Sequence, residues 1–225
     1  MNQVKVWDVP TRLFHWALVG VFVFQYVTAE WLDDAMQLHF YGGYVALGIL
    51  LFRVIWGFVG SYHARFANFV HSPATAFAYA NGSSQQYLGH NPLGGYSVLA
   101  ILAVMLTQTI SGLFMTDDIF LDGPYHGALG DVTDDIMNFL HHNAISVMYA
   151  LIALHLFAIA WYSIRKKQKL IGAMVHGNKE QTDAKITDVQ THWLRFIVVV
   201  VAVSVAVYLL VEVLPPETVS DFYGF

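Results

Sequence analysis

The chain contains no cysteine, and that absence removes several kinds of chemistry at once. Without a thiol there is no disulfide, no thiolate or iron–sulfur ligation and no covalent c-type haem attachment in this chain. Charge is also scarce, because Asp, Glu, Lys and Arg make up only 12% of the 225 residues, whereas hydrophobic residues make up 56%. This composition, with a mean hydropathy of +0.51, is typical of an integral membrane protein.

Long apolar runs contain most of the hydrophobic residues. A helix needs about 20 apolar residues to cross a hydrocarbon core about 30 Å thick, and five stretches approach or exceed that length. The sequence therefore predicts an all-α membrane protein with five transmembrane helices and no soluble domain. These helices are predicted over residues 13–31, 38–58, 92–114, 139–164 and 193–214.

Basic residues are absent from one side of the predicted membrane. With five spans, all eleven Lys and Arg fall on the side that holds the N-terminus and the loops 59–91 and 165–192. By the positive-inside rule this side is the cytoplasm of a bacterial inner membrane. The sequence thus predicts a cytoplasmic N-terminus and a periplasmic C-terminus.

The opposite side carries acidic residues without basic ones. They are densest over residues 116–138, and Glu217 and Asp221 lie in the C-terminal tail. The acidic loop is either a solvated face or a surface that steers a basic redox partner toward the membrane.

Four of the eleven histidines fall inside a span or at its mouth: His15, His39, His141 and His155. Ionisable residues are expensive inside a bilayer, so each of these is a functional candidate. Fourteen helical residues separate His141 from His155, a rise of about 21 Å that returns to within about 40° of the same helix face. His142 is thirteen residues from His155 and points away from that face.

The four histidines form two pairs by predicted depth. His15 and His155 lie in the inner leaflet, whereas His39 and His141 lie near the periplasm. Two imidazoles at each depth suit two b-type haems, because a low-spin iron takes two axial nitrogens from opposite sides. The alternative is a set of interhelical hydrogen bonds or a proton relay.

Arg53 and three glycines accompany His39 on the second predicted helix. Arg53 lies fourteen residues after His39, where it suits either a haem propionate or an ordinary positive-inside anchor. Gly42, Gly43 and Gly48 suit either a porphyrin pressed against the helix or close helix packing.

Four separated motifs resemble the bacterial cytochrome b561 family, which includes the b-type cytochrome subunit of nickel–iron hydrogenases. They are VWDVPTRLFHW at 6–16, the stretch at 38–70, GHNPLGG at 89–95 and HHNAISVMYALIALH at 141–155. The resemblance implies a four-helix bundle that binds two haem b groups and exchanges electrons with membrane quinone. The family's ligand positions match His15, His39, His141 and His155.

The extent of the resemblance suggests a division of the chain. Residues 1–177 are assigned to the haem-binding bundle, with an aromatic, amphipathic stretch near 64–80 that predicts a broken helix at the cytoplasmic interface. Residues 178–225 are assigned to a cytoplasmic connector and the fifth transmembrane helix. The polar residues 165–190 are expected to be exposed to solvent.

GHNPLGG also resembles a turn in formate dehydrogenase cytochrome b subunits that borders a quinone pocket beside the inner haem. This resemblance implies quinone-site roles for Asn91, Gly94 and Gly95, with His90 adjacent. The alternative is a capping turn, because Asn91 before a proline is a sound helix start. Arg12, on the same side, is a second candidate for a haem propionate.

The predicted function is electron transfer between the quinone pool and a periplasmic redox partner. That partner is expected to be a c-type cytochrome, a multihaem reductase or a hydrogenase. The sequence leaves open whether the chain is an enzyme in its own right, such as a quinone reductase that takes electrons from superoxide. A membrane anchor would leave the four histidines unexplained. An ion transporter would lack buried carboxylates, because Glu212 is the only acid well inside a span.

Overall fold

The computed structural model describes residues 2–82, 87–181 and 189–216. Lys185, Glu217 and Asp221, which contribute to the predicted charge asymmetry, lie outside the described residues. Almost all regular structure in the described part is helical, with one small antiparallel sheet of two strands.

Five helices are long and apolar enough to cross a membrane. They are α1 (Val9–Glu30), α2 (Met36–Val59), α5 (Pro92–Gly112), α6 (Asp131–Arg165) and α8 (Trp193–Tyr208), the last continued by a π-helical turn over Leu209–Val213. The predicted all-α membrane fold with five spans is therefore confirmed.

The sequence-based start of α6 was wrong by eight residues. The predicted acidic loop extended to residue 138, but α6 begins at Asp131. Gly130, with φ 86°, breaks the chain direction just before the helix, and its carbonyl accepts the amide of Thr133. Asp131 and Asp134 occupy the first turn, where the positive end of the helix dipole favours carboxylates.

Short helices connect the second and third spans. A 3₁₀ turn over Tyr62–Ala64 precedes α3 (Phe66–Phe69) and α4 (Pro73–Ala80). The hydroxyl of Ser72 accepts the amide of Thr75 and so caps α4. The stretch near 64–80 thus contains a broken helix, and its position at a membrane interface stays a prediction.

The connector after α6 is more ordered than a solvated linker. It contains α7 (Leu170–His176) and β2 (Asn178–Gln181), which pairs with β1 (Asn2–Lys5) from Lys5↔Asn178 to Asn2↔Gln181. Gly177 ends α7 in the left-handed region with φ 88°, and its carbonyl accepts two amides that follow β1. The expectation of solvent exposure holds for residues 165–169, 171, 175–176 and 178, whereas Ala173 and Gly177 are buried and Lys179 is partly buried.

The chain groups into two compact units of three segments each. The His15 unit comprises Met1–Trp16, Phe52–Leu102 and Ala150–Val199, and the His39 unit comprises Ala17–Leu51, Ala103–Tyr149 and Val200–Phe225. The His15 unit packs Val6 and Trp7 against Ala173. The His39 unit packs Leu47 against Leu113 and Phe114.

Candidate functional site

His39 and His141 face each other inside the His39 unit. His39 lies in the first turns of α2 and His141 in α6, and their ring centres are 6.4 Å apart with planes at 86°. An imidazole nitrogen binds a first-row metal at about 2 Å, so two rings on opposite sides of one ion have centres roughly 6 Å apart. The observed spacing therefore suits one metal ion held between the two rings.

The outer nitrogens of both rings are held in the same way. The Nδ1 of His39 lies 3.2 Å from the carbonyl oxygen of Gln25 and 3.2 Å from the hydroxyl of Thr28. The Nδ1 of His141 lies 3.0 Å from the carbonyl of Gln108 and 3.2 Å from the hydroxyl of Ser111. A carbonyl only accepts, so Nδ1 donates its hydrogen and Nε2 keeps a free lone pair. This is the tautomer that a metal ligand needs.

The same sequence pattern supplies the carbonyl and the hydroxyl that contact each Nδ1. Gln25 and Thr28 on α1, like Gln108 and Ser111 on α5, are three residues apart and therefore share a helix face. Each hydroxyl donates back to the glutamine carbonyl at 3.1 Å, which aligns both oxygens toward the histidine. Sequence reasoning missed the two hydroxyl residues. The signal was a glutamine followed three residues later by serine or threonine within an apolar span.

Small residues make room around this pair. A Cβ on Gly112 would lie 3.1 Å from Cε1 of His141, so the missing side chain allows the ring to approach α5. A Cβ on Gly42 would clash with the side chains of Gln25 and Phe24. Gly48 lies against two valines of α8. At Gly42 and Gly48 the structure therefore shows close helix packing, one of the two interpretations left open by the sequence.

His15 and His155 belong together in the His15 unit. They are close enough for a charge on one to act on the other. The ring of His15 packs edge-on against Trp16 at 5.0 Å, and its Nδ1 is buried with no hydrogen-bond partner in the described part of the chain.

Other buried polar atoms of the His15 unit also lack partners among the described residues. They are Thr11 Oγ1, Arg12 Nε, Arg53 Nη1, Ser61 Oγ and His90 Nδ1. Buried polar groups nearly always have a partner in folded proteins, so these atoms are available to groups that bind in this unit. Asp8 is the only fully buried acid in the described residues, and these donors still have no acceptor despite its carboxylate.

Arg53 is buried among aromatic rings, with an exposed fraction of 2%. Its guanidinium lies 5.0 Å from the ring of Phe66 and 5.7 Å from that of Phe69. Asp8, which acts on it electrostatically, accepts hydrogen bonds from the indole of Trp56 at 3.1 Å and from the amide of Thr11. A side chain buried in this way does not behave as a water-facing anchor.

The turn at residues 89–95 has a structural role at the start of α5. Asn91 Oδ1 accepts the amide of Gly94 at 2.7 Å, which caps α5, and a Cβ on Gly95 would lie 2.7 Å from the carbonyl oxygen of Phe69. The Asn91 side chain also hydrogen-bonds to Tyr79, whose hydroxyl is 3.1 Å from that of Tyr162. The capping interpretation of Asn91 is therefore confirmed, whereas its quinone role stays a prediction.

His90 is the free polar group of this turn. It lies between the rings of Trp7 and Phe69, at 4.8 and 4.6 Å, and its Nδ1 has no partner in the described chain. Burial, helped by the positive charges of Arg53 and Lys179, lowers the pKa of His90 to about 3. The imidazole is therefore neutral at physiological pH and is able either to donate or to accept one hydrogen bond.

Lys179 is a residue that sequence reasoning missed, because it lies beyond the resemblance in a polar segment. Strand β2 carries it to the turn, where Nζ donates to the carbonyls of Leu88 at 2.6 Å and Gly89 at 3.3 Å. It also lies 5.7 Å from the ring of Trp7. Burial lowers the pKa of Lys179 to about 8. Its charge thus adds to that of Arg53.

A family model described as prokaryotic cytochrome b561 matches residues 6–177, a range that includes all four spanning histidines. The chain belongs to this family. The prokaryotic cytochrome b561 family is one of membrane-bound b-type cytochromes, so the chain is a multi-pass membrane protein that transfers electrons through b-type haem.

The curated relatives agree with this assignment. The chain is 26% identical to a protein of Azotobacter chroococcum mcd 1 over 218 residues (78% of this chain, 88% of the relative) and 27% identical to one of Azotobacter vinelandii over 216 residues (78% and 88%). It is 24% identical to one of Rhizobium leguminosarum bv. viciae over 214 residues (79% and 89%). Each relative is named "Probable Ni/Fe-hydrogenase B-type cytochrome subunit". No solved structure matches the chain significantly.

The side chains present fit b-type haem in two respects. The spacing and tautomers of His39 and His141 suit an iron with two axial imidazoles. The unpartnered donors of Arg12 and Arg53 in the His15 unit suit the carboxylates of a haem's propionates.

Proposed function

We propose that the chain binds two haem b groups and passes electrons between the quinone pool and a redox partner on the opposite side of the membrane. The observation that carries this proposal is the facing pair His39 and His141, with both Nδ1 atoms bonded to helix carbonyls. His15 and His155 would hold the second haem in the other unit. When bound, each iron accepts and releases one electron, and the protein's task is to hold and tune it.

In this proposal the His15 unit lies toward the cytoplasm of a bacterial inner membrane. Basic residues support that orientation, since all eleven Lys and Arg of the sequence lie in the segments on one side of the five spans or in the helix halves next to those segments. Arg53 and Arg12 would bind propionates of the haem held by His15 and His155, because both carry buried nitrogens without partners in the described residues.

The quinone would bind in the His15 unit beside the turn at 89–95. Quinone reduction consumes two protons for two electrons, so the site needs a polar group that exchanges a proton. His90 suits this role as a neutral relay, which takes a proton at one ring nitrogen as it gives one from the other, because its Nδ1 has no partner among the described residues. Asn91, Gly94 and Gly95 would shape the pocket by fixing the start of α5.

The redox partner would dock on the loop between α5 and α6. Asp117 and Asp134 stabilise this loop internally, because Asp117 Oδ1 accepts three backbone amides and Asp134 Oδ2 accepts the amide of Gly127. Four exposed carboxylates remain for a basic partner, at Asp118, Asp122, Asp131 and Asp135. The names of the curated relatives favour a hydrogenase-like redox enzyme over a small diffusible donor such as superoxide.

Haem content tests the two-haem proposal. We expect two non-covalent haems per chain by pyridine haemochrome assay and one after His141→Ala. His142→Ala is the matched control, because that exposed ring bonds only to the carbonyl of Asn138 at 2.9 Å in the described structure and should retain both haems. One haem or none in the unmodified protein would contradict the proposal.

Quinone kinetics test the role of His90 separately. His90→Leu should slow quinol-dependent haem reduction by about 100-fold, the scale of a lost proton-transfer group, while dithionite still reduces both haems. His90→Gln keeps a hydrogen-bonding group and controls for packing. Asn91→Ser should change the rate little, because serine preserves the cap. Unchanged kinetics in a fully loaded His90→Leu variant would place the quinone elsewhere, for example near Gln108.

A further inference from the structure

A cavity of about 1070 Å³ in the His15 unit has no part in the electron-transfer chemistry described above. Its walls come from the end of α2 and the turn after it, residues 58–65, and from the start of α8 and the residues before it, 189–199. The cavity therefore lies where the membrane-spanning part of α2 ends and that of α8 begins.

The lining of the cavity carries positive charge from two arginines. Arg65 and Arg195 both line it, together with His63 and His192. Arg195 also donates to the carbonyl of Val59 at 3.4 Å, which keeps its guanidinium between the two helices. No acidic side chain belongs to the described lining, so the charge is not neutralised within the cavity.

Two further groups favour an anion there. Ser61, with an exposed fraction of 4%, lines the cavity, and its hydroxyl has no hydrogen-bond partner in the described residues. The N-terminus of α8, a helix of 16 residues, also faces the cavity, and the first amides of a helix have no acceptor within it. A buried hydroxyl, a helix N-terminus and two guanidinium groups form a donor set suited to phosphate.

Most of the remaining lining is apolar, with Tyr62 and Gln190 as the exceptions, and part of it is open to the outside. Phe58 and Leu194 have exposed fractions of 69% and 76%, and Val198 has 57%. These side chains belong to the membrane-spanning parts of α2 and α8, where lipid chains would cover them. The cavity is therefore amphipathic, because its lining combines groups that suit an anion with apolar side chains.

We propose that this cavity binds one anionic phospholipid, with its phosphate held by Arg65, Arg195 and Ser61 and its acyl chains along α2 and α8. Basic pockets between transmembrane helices commonly bind anionic headgroups. A quinone has the apolar part but no charge, so it would leave both arginines without an anion. Burial and the positive charge of Lys179 lower the pKa of His63, so a neutral His63 is available to donate to the headgroup.

Native mass spectrometry of the full, haem-loaded protein tests this proposal. Titration with phosphatidylglycerol should give one tightly bound lipid, whereas phosphatidylcholine should bind weakly. Replacing both arginines, Arg65→Gln with Arg195→Gln, should weaken phosphatidylglycerol binding about 30-fold, since each basic residue contributes about 1 kcal/mol. Ser61→Ala should weaken it less.

Arg165→Gln is the matched control. Arg165 is an exposed arginine of the same unit that packs over Trp161, and it does not belong to the cavity lining. Its replacement should leave lipid binding unchanged. Equal binding by the double variant and the unmodified protein would overturn the proposal, and so would equal loss in the control.

Two competition experiments identify the ligand. Inorganic phosphate that competes with phosphatidylglycerol at equal concentration would indicate a site for soluble phosphate and overturn the lipid assignment. Displacement of the lipid by a short-chain quinone, with slowed quinone kinetics in the arginine variant, would assign the cavity to quinone instead. Haem content is measured in every sample, so a failure of haem binding is distinguished from a failure of lipid binding.

Discussion

The two units position their histidine pairs by different means. In the His39 unit, His39 and His141 are each fixed by a carbonyl and a hydroxyl on a neighbouring helix. In the His15 unit, the Nδ1 of His15 is buried without a partner in the described residues, and the positive charges of Arg53 and Lys179 act on His90, on which His155 also acts. The first pair is oriented by the protein itself, whereas the second unit contains buried donors that suit an anionic group.

This difference has an electronic consequence for bound haem. A hydrogen bond from Nδ1 to a carbonyl makes an imidazole a stronger electron donor and favours ferric iron. Nearby positive charge favours ferrous iron, because reduction lowers the net charge of the site. We therefore expect a haem held by His15 and His155 to have a higher midpoint potential than one held by His39 and His141.

The largest expected effect is the loss of one haem. A side chain at Gly112 would press on the ring of His141, so Gly112→Val should remove the haem of the His39 unit and leave the other. Gly20→Val is the control, because a Cβ there meets nothing within 4 Å in the described structure. Haem content and low-temperature spectra measure the outcome, and two intact haems in Gly112→Val would contradict the assigned ligand.

Removal of the buried charge should produce the next largest effect. Arg53→Gln should lower the potential of the His15-unit haem by about 60 mV or more, which corresponds to a tenfold change in a one-electron equilibrium. The other haem should change little. Arg165→Gln, which changes an exposed arginine of the same unit, is the control. A shift confined to the other haem in a redox titration would reverse the assignment of the two units.

Lys179 should make the potential of the same haem depend on pH. Its pKa is lowered to about 8, so it is charged at pH 7 and largely neutral at pH 9. Loss of this charge disfavours reduction, so the potential of the His15-unit haem should fall by a few tens of mV as pH rises through 8. Lys179→Met should have the lower potential at all pH values and lack this step. His90 adds no step here, because its pKa of about 3 keeps it neutral.

The smallest effect should come from removal of the one hydroxyl that contacts His141. Ser111→Ala removes one of the two partners of His141 Nδ1 but keeps the carbonyl of Gln108, so the haem should remain with a small change in its ferric g-values. Thr109→Ala on the same helix is the control, because its hydroxyl bonds only to carbonyls of its own helix in the described structure. Identical electron paramagnetic resonance spectra for both variants and the unmodified protein would mean that the carbonyl alone positions the ring.

Much of the fold followed from simple physical signals in the sequence. Five apolar runs predicted five spans, and the Asn91–Pro92 pair predicted the start of α5. The early start of α6 was missed because polar first turns resemble a loop until the glycine before them is recognised as a break. The sequence also paired His15 with His155 and His39 with His141, and each pair lies within one unit, whereas their depth in the membrane stays a prediction.

Other parts of the site depend on contacts that no local pattern reveals. Lys179 reaches the turn at 89–95 only because β2 pairs with β1 across more than 170 residues of sequence. Asp8 reads as an ordinary helix cap, and its second bond, to Trp56, comes from α2. The hydroxyls of Thr28 and Ser111 become informative only once their histidine partners are known.

The pairing of β1 with β2 also sets an order of events during synthesis. Residues 2–5 leave the ribosome first, but their partners at 178–181 follow only after four of the five spans have been made. Lys179 therefore closes over the turn at 89–91 as a late step, after the helices that carry His15 and His155 exist. The strand pair therefore stabilises the His15 unit only at this late stage. A chain that ends at residue 177 would lack β2, and with it the hydrogen bonds of Lys179 to Leu88 and Gly89.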